Sequence, residues 1–284
     1  MQQPPGIQYF DDLEDKLAAA VKTLNQSVTE GTPALLEKLQ DLLALFDKRG
    51  GNLKQSSDNI RLLNQVSKEI DAILSESALT PATRELLKAI PESKGLISGY
   101  FGAMLNNFSD AKPVYEAITQ FYTNYTANAL IGQGVNQQFK QGVIEVLRQS
   151  VKNGISTTEA KKLLAEHVVT DNRLAKNVSQ VASDALHQYS AEYTQALTDD
   201  LGLEHYYYKG TKIATSRPFC VTRTGKYYTK KEVESWAKLE WSGKIPGTNK
   251  DNITVLRGGY SCRHLLVPVS KAVYDARVNA TKPV

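Results

Sequence analysis

The chain has 284 residues, of which 41% are hydrophobic and 23% are charged, and its formal net charge is +4. These proportions are typical of one or two globular domains and exclude a disordered or fibrous chain. The sequence has no apolar run near the ~20 residues that a membrane-spanning helix needs, and its two cysteines are too few for a disulfide-rich fold.

The charge is unevenly distributed along the chain. Residues 203–284 contain 15 Lys and Arg against 6 Asp and Glu, a net charge of +9, whereas residues 1–202 contain 19 against 24, a net charge of −5. A basic segment of this kind favours contact with nucleic acid or with an acidic protein surface. The same charges could also form a solvated face, so composition leaves these alternatives open.

Region 1–131 is predicted to be helical, because apolar residues recur in it at spacings of three and four. The first helix covers 8–29 and is expected to end at Gly31-Thr-Pro33, since proline suits the first turn of a new helix. The second helix is expected to end at Gly50-Gly51, and the third covers about 53–76. The three apolar stripes consist of Phe10, Leu13, Leu17, Ala20 and Leu24, of Leu35, Leu39, Leu42 and Phe46, and of Ile60, Leu63, Val66, Ile70 and Ile73.

Prolines divide the rest of this region. Thr80-Pro81 predicts a helix start, and Pro91 predicts the end of a short helix. Residues 94–131 are expected to be helical again, with interruptions near Asn106-Asn107 and at Pro113. The heptad-like spacing favours a helical bundle or packing against other copies of the chain. The expected fold class is therefore mainly α, with an N-terminal helical bundle or extended helical region.

Region 132–202 is predicted to be a second helical segment, set off by a hinge at Gly132-Gln-Gly134. One helix follows the hinge and ends at Asn153-Gly154. Ser156-Thr-Thr-Glu159 is a capping box, which predicts the start of a short helix. A long helix then ends at Asp199-Asp200-Leu-Gly202.

Region 203–284 differs from the preceding regions in composition and is predicted to form a small basic α+β module. Aromatic and β-branched residues cluster between glycines and prolines, as they do in short strands. A proline at position 268 favours a strand end or an edge strand. The predicted strands are His205–Tyr208, Thr211–Ala214, Ile253–Leu256 and Leu265–Val269, and the predicted helices run from Thr229 to about Leu239 and from Lys271 to Arg277.

Both cysteines and one of the four histidines lie in two short turn-forming clusters, Ser216-Arg-Pro-Phe-Cys220 and Gly258-Gly-Tyr-Ser-Cys262-Arg263-His264. Cys220, Cys262 and His264 form the one plausible metal set, since zinc accepts thiolate and imidazole ligands. A fourth ligand is not obvious, although His205 is conceivable. A thiol pair or disulfide and two buried apolar side chains are the alternatives. The sequence favours the last of these, so no metal or other cofactor is expected, although zinc stays open.

An enzymatic function is not expected. Cys262 and His264 could share one face of a strand, but the sequence names no third group that would orient them for nucleophilic catalysis. Walker A, dinucleotide-binding, serine-elbow and zinc-protease motifs are missing from the sequence.

The basic residues around the two clusters fall into two groups. Arg217 and Arg263 lie inside the turns and are expected to hold loops together by hydrogen bonds to carbonyl groups. The others could bind phosphates and stack on bases. This second group comprises Arg223, Lys226, Tyr227, Tyr228, Lys230 and Lys231.

Taken together, these motifs resemble the tailed-phage minor head proteins, the head-morphogenesis family also called phage Mu F-like. Members typically carry an Arg-x-x-Cys element, a Gly-Lys turn and a terminal Asn-Cys-Arg-Cys or Asn-Cys-Arg-His element. Here the corresponding residues are Arg217 with Cys220, Gly225-Lys226 and Cys262-Arg263-His264. The resemblance covers residues 135–270, including the helices up to about residue 200.

The chain departs from the family pattern at two points. Ser261 stands where asparagine is common, and Gly259-Tyr260 replaces the usual His-Pro. His264 also stands where many members have a cysteine, which weakens the zinc interpretation.

The resemblance implies a non-enzymatic virion protein, present in several copies in the phage head near the portal and in the host cytoplasm during assembly. Its partners would be portal or capsid proteins and packaged DNA, and it would act in head morphogenesis, DNA packaging or ejection. The alternative is a DNA-binding or nucleic-acid-processing protein with a small zinc-stabilised module. In the first case Cys220 and Cys262 are expected to lie close together, with Arg217 and Arg263 bonding across them.

Overall fold

The computed structural model describes residues 3–105 and 108–279, and helices make up 69% of it. The expected class, mainly α with a small C-terminal α+β module, is confirmed. Among the described helices, none combines the length and the apolar character needed to cross a membrane.

The chain divides into two compact units, each built from separated segments. Unit 1 consists of the described parts of Met1–Ala18, Ala89–Thr123 and Ser183–Val284, and unit 2 consists of Ala19–Lys88 and Asn124–Ala182. This division differs from the three consecutive regions expected at 1–131, 132–202 and 203–284. The difference arises because three long helices each contribute residues to both units.

The first of these helices, α1, spans Gln8–Asp41 and continues through Pro33, so the predicted break at Gly31-Thr-Pro33 is wrong. Proline inside a helix costs about 3 kcal/mol, but burial of Val28, Leu35 and Leu39 on one face outweighs that cost at ~1.5–3 kcal/mol each. Gly31 lets the helix pass directly against Ala78, where a β-carbon would collide.

The Gly50-Gly51 pair forms a hairpin turn and does not end a helix. After α1, a 3₁₀ turn covers Leu42–Leu45, and two short antiparallel strands follow, β1 (Lys48–Arg49) and β2 (Asn52–Leu53). The glycines have φ values of +60° and +81°, and positive φ at both central positions is the requirement of a type I′ hairpin.

Four helices follow: α2 (Ser57–Ser75), α3 (Leu79–Leu87), α4 (Ala89–Met104) and α5 (Pro113–Ile131). Helix α2 and the interruption at Pro113 agree with the sequence prediction, and the interruption predicted near Asn106-Asn107 lies outside the described residues. Pro91 does not end α3 but lies in the first turn of α4, where its missing N–H would have no helical acceptor.

The next three helices also lie where the sequence predicted them: α6 (Val135–Asn153), α7 (Thr157–Val169) and α8 (Arg173–Asp200). Gly154 ends α6 in the left-handed conformation with a φ of +59°. Ser156 Oγ accepts a hydrogen bond of 3.1 Å from the Glu159 amide at the start of α7. Both ends are fixed by local residues, so they are readable from sequence.

The C-terminal module, residues 203–279, contains a three-stranded antiparallel sheet in the order β4-β3-β5. The prediction of strands at Thr211–Ala214 and Ile253–Leu256 is wrong, since the first segment forms no strand and the second is a helical turn. The sheet uses Tyr227–Thr229 instead. The elements are β3 (His205–Lys209), α9 (Pro218–Val221), β4 (Tyr227–Thr229), α10 (Lys230–Ser235), α11 (Ile253–Leu256), β5 (Leu265–Val269) and α12 (Lys271–Asn279), with a 3₁₀ turn at Trp236–Lys238.

Pairing explains which aromatic and β-branched segments became strands. Central strand β3 has its three tyrosines buried, whereas Ile213 in the rejected segment is 62% exposed. Strand β5 pairs with β3 alone and so is an edge strand, which accommodates Pro268 as predicted. A capping box formed by Thr229 and Glu232 begins α10, at the helix start that the sequence predicted.

Candidate functional site

Two thiols and an imidazole meet in the core of the C-terminal module. Cys220 lies on α9, Cys262 in the turn after α11, and His264 just before β5. The Sγ atoms are 3.9 Å apart, and Cys262 Sγ is 3.9 Å from His264 Nδ1. The three residues are 2%, 7% and 6% exposed, and both cysteines are free. The predicted proximity of the two cysteines is confirmed.

Glycines allow the chain to close around this cluster. A β-carbon at Gly258 would lie 2.5 Å from Cys220 Sγ and 2.8 Å from Cys262 Sγ, and one at Gly210 would collide with the His264 ring. Such distances are far inside van der Waals contact, so the turn backbone lies directly on the sulfurs. Because Gly258 and Gly210 have no side chain, the backbone can pack directly against the three residues of the cluster.

Tyr208 on β3 closes the cluster from the sheet. Its hydroxyl donates to Cys220 Sγ at 3.5 Å, and its ring stacks on His264 with centroids 5.4 Å apart. Around them lie Phe219, Trp236, Ile253 and other apolar side chains of one hydrophobic cluster. Most of the side chains around the sulfurs and the imidazole are thus apolar.

The two sulfurs differ in their acidity. The hydrogen bond between them, aided by His264 and Arg257, lowers the pKa of the Cys262 thiol in spite of its burial. The same bond, together with burial, raises the pKa of Cys220. A thiolate at this pair is thus favoured by the sulfur–sulfur hydrogen bond, His264 and Arg257, and opposed by burial, which raises the pKa.

Arg257 is a buried residue of the site that the sequence analysis missed. It is 2% exposed, has a φ of +44° and donates a hydrogen bond of 3.2 Å to the His187 carbonyl. Burial lowers the pKa of its guanidinium, an effect that the charge of Cys262 opposes. The sequence contains one indication of this role, since Arg257 stands between the apolar segment Ile253–Leu256 and the pair Gly258-Gly259.

A small cleft beside Cys262 is lined by His187 and Arg257, among others. The His187 ring bonds through Nδ1 to the Ser183 carbonyl at 2.7 Å. Burial, followed by the positive charges of Arg263 and Arg257, lowers the pKa of His187 to about 3. The cleft wall thus carries a neutral imidazole and a cation next to a sulfur.

The two turn arginines have different partners. Arg217 donates to the Tyr260 carbonyl at 2.5 Å, so it links the two cysteine-containing turns as predicted. Arg263 does not bond across the turns but pairs with Asp184 on α8 at 2.8 Å. A carboxylate is a stronger partner for a guanidinium group than a carbonyl, which explains why Arg263 bonds to Asp184.

The two tyrosines predicted to stack on bases are engaged within the protein. Tyr227 is buried against Tyr207, with ring centroids 5.0 Å apart. Tyr228 is half-buried and meets Trp236 edge-on at 4.8 Å. Because their rings already pack on other rings, the expectation that they stack on nucleic-acid bases is not supported by their position.

The predicted basic contacts are partly used by the fold. The Arg223 guanidinium lies 3.8 Å from the Phe219 ring centroid and donates to that residue's carbonyl at 2.8 Å. Lys230 pairs with Asp199 at 2.7 Å. Lys226 and Lys231 are exposed, and within the described residues neither forms an ion pair. These two lysines are the members of the set that remain available to a partner.

The three motif elements of the C-terminal module therefore differ in what they do. The two cysteine elements meet around the cluster, whereas Gly225, with a φ of +84°, makes the turn into β4 and donates to the Tyr208 carbonyl at 2.9 Å.

No family model, curated protein or solved structure matches the chain.

Proposed function

We propose that this chain is a structural minor head protein of a tailed bacteriophage. It acts in head morphogenesis near the portal and takes part in DNA packaging or ejection. The observation that carries the proposal is the meeting of the Arg217-x-x-Cys220 element with the Cys262-Arg263-His264 element. Residues 42 positions apart in sequence place their sulfurs 3.9 Å apart, and Arg217 bonds across the turns.

Burial supports a structural role for this pair of turns. The sulfurs and the imidazole lie within the module's core and are closed in by Gly258, Gly210 and Tyr208. Side chains packed in this way fix the relative positions of α9, the turn after α11 and β5. The module then presents a rigid basic surface to its partner.

The charge distribution favours two kinds of partner. Residues 203–284 carry a net charge of +9, which suits an acidic patch of a portal or capsid protein, or packaged DNA. Lys226 and Lys231 are exposed, whereas Tyr227 and Tyr228 are packed against other rings. Contact with DNA would therefore be made to phosphates and would weaken steeply with added salt.

Mass spectrometry of purified phage particles, before and after genome release in vitro, tests the proposal. We expect peptides of this chain in full particles at a few copies per particle. Loss on genome release assigns an ejected protein, and retention assigns a fixed component of the head. Complete absence from full particles would overturn the proposal.

A charge-reversal pair examines the proposed surface. The double variant Lys226→Glu/Lys231→Glu is expected to reduce incorporation into particles, because it reverses the exposed charge of the module. Lys48→Glu/Lys68→Glu is the matched control, since these lysines are also exposed but lie in unit 2. If both double variants are incorporated into particles equally well, the exposed lysines of the module do not contribute to partner binding.

The second candidate is a DNA-binding protein with a zinc-stabilised module, and the close grouping of Cys220, Cys262 and His264 favours it. This function predicts absence from particles and DNA affinity that disappears when metal is removed. Presence in particles together with chelator-insensitive DNA binding would exclude it.

A further inference from the structure

The atoms of the cysteine–histidine cluster are spaced as ligands of one ion would be. Cys220 Sγ, Cys262 Sγ and a His264 ring nitrogen all lie within 4.8 Å of one another. Zn–S bonds of about 2.3 Å and Zn–N bonds of about 2.05 Å in a tetrahedron place sulfurs ~3.8 Å apart, and sulfur ~3.6 Å from nitrogen. The observed separations are 3.9 Å for both the sulfur pair and Cys262 Sγ to His264 Nδ1, whereas Cys220 Sγ lies within 4.8 Å of a His264 ring nitrogen and would have to approach it to share an ion.

His264 distinguishes a metal site from a thiol pair. The imidazole is buried, its Nδ1 faces the weakly bonding Cys262 sulfur, and its Nε2 has no hydrogen-bond partner among the described residues. Two thiols that form a disulfide, or two sulfurs that only fill space, do not require an imidazole aimed at them. An ion on Nδ1 would replace this weak sulfur contact by a strong bond, and the ring would then carry its proton on Nε2.

We propose that Cys220 Sγ, Cys262 Sγ and His264 Nδ1 bind one zinc ion, with a water molecule as the fourth ligand. Within the described residues, no other Cys, His, Asp or Glu joins the cluster. The cleft that reaches Cys262 gives water access to the site. Two thiolates and an imidazole select a soft, tetrahedral ion over magnesium or calcium.

His205, the fourth ligand considered from sequence, has another position. It begins β3, and its ring packs on Tyr274 with centroids 4.4 Å apart. Tyr208, by contrast, donates its hydroxyl to Cys220 Sγ, an interaction that favours the thiolate form of a ligand. Each thiol releases its proton to solvent as its sulfur bonds to zinc, so binding leaves the ligands and the ion without net charge.

The ion would tie α9, the turn after α11 and β5 at one point. Metal-assisted closure suits a small module whose strands have three to five residues. The inference concerns this cluster alone and does not depend on the proposed virion role. Mass spectrometry of particles tests the virion role and elemental analysis tests the zinc site, so a negative result in one leaves the other proposal standing.

The first experiment uses the full-length wild-type chain, purified under reducing conditions with zinc present and then dialysed. We expect about one zinc ion per chain by elemental analysis. Replacement with Co²⁺ is expected to give the strong visible bands of a tetrahedral site and a sulfur-to-cobalt charge-transfer band. Alkylation of both thiols is expected to require a chelator and denaturant together.

The second experiment compares histidines within the module. His264→Gln is expected to reduce retained zinc roughly tenfold or more, as are Cys220→Ser and Cys262→Ser, because each removes a ligand. His205→Gln is the matched control and is expected to retain zinc like the wild type. If the ligand variants do not fold, the cobalt spectrum and thiol protection of the wild type decide the question.

Two results would overturn the proposal. The first is a wild-type chain that binds neither zinc nor cobalt and forms a Cys220–Cys262 disulfide in air, which assigns a redox-sensitive thiol pair. The second is zinc bound equally by the wild type and by His264→Gln, which places the ion elsewhere.

Discussion

Unit 2 and the C-terminal module are stabilised in different ways. Unit 2 is built on helices whose buried faces are aliphatic, as in α2 with Leu63, Val66, Ile70 and Leu74. The module has strands of at most five residues, a core of aromatic rings and sulfurs, and buried polar groups such as Arg257 and His264. Unit 2 should therefore respond mainly to lost apolar volume, and the module to single changes in polar or glycine positions.

The largest effect is expected in unit 2 from Leu147→Ala. Leu147 is fully buried on α6, and truncating such a leucine leaves a cavity that costs about 4 kcal/mol of the free energy of unfolding. Denaturant titration measures this loss. Leu147→Met is the control and should cost less than about 1.5 kcal/mol, since it conserves volume. A similar loss for both would show that unit 2 does not depend on filled volume.

Gly258→Ala is expected to have the next largest effect, although it adds a single methyl group. The new β-carbon would lie 2.5 Å from Cys220 Sγ and 2.8 Å from Cys262 Sγ, so the turn or the sulfurs must move. Overpacking of this kind costs about 3 kcal/mol. Gly95→Ala on α4 has open space around it and is expected to be stabilising by up to ~1 kcal/mol. Equal unfolding midpoints for the two variants would contradict the tight closure of the cluster.

Lys209→Met removes a buried positive charge from unit 1. Lys209 is 7% exposed on its side chain and pairs with Glu14 and with Asp11, at 2.9 Å from the latter. Removing it leaves both carboxylates unpaired, and we expect a loss of roughly 2–3 kcal/mol, less than for a fully buried pair because Asp11 is half-exposed.

The loss in Lys209→Met should shrink at low pH. Burial already raises the pKa of Glu14 against the pull of Lys209, so without the lysine this carboxyl takes up a proton more readily. Lys16→Met breaks an exposed pair of 2.5 Å with Glu92 and should change stability by less than about 1 kcal/mol. Unfolding titrations at neutral and acidic pH measure both variants.

The smallest effect concerns the pH dependence that His187 gives to the folded chain. Its pKa is about 3 when folded against 6.5 in the reference state, so the unfolded chain binds more protons between these values. Stability from this group is therefore complete above pH 6.5 and falls on acidification, by about 2 kcal/mol between pH 7 and pH 5. His187→Asn, which keeps a donor near the Ser183 carbonyl, should flatten this slope. An unchanged slope would show that His187 is not the titrating group.

The sequence by itself determined the features that depend on neighbouring residues. Helices α2, α6, α7 and α8 follow from apolar spacing, and the ends at Gly154, Ser156 and Thr229 follow from side-chain and φ requirements within a few residues. The close approach of Cys220 and Cys262 was also expected, but from a resemblance between motifs and not from periodicity.

Tertiary structure decided what depends on distant partners. Helix α1 passes through Pro33 because its buried face outweighs a local cost, and Tyr227–Thr229 is a strand because β3 offers it a pairing edge. Arg263 bonds to Asp184 and not across the turns because α8 brings a carboxylate to it. Local rules describe a residue's preferences, but long-range pairing and burial choose among them, since these energies exist only after distant segments have met.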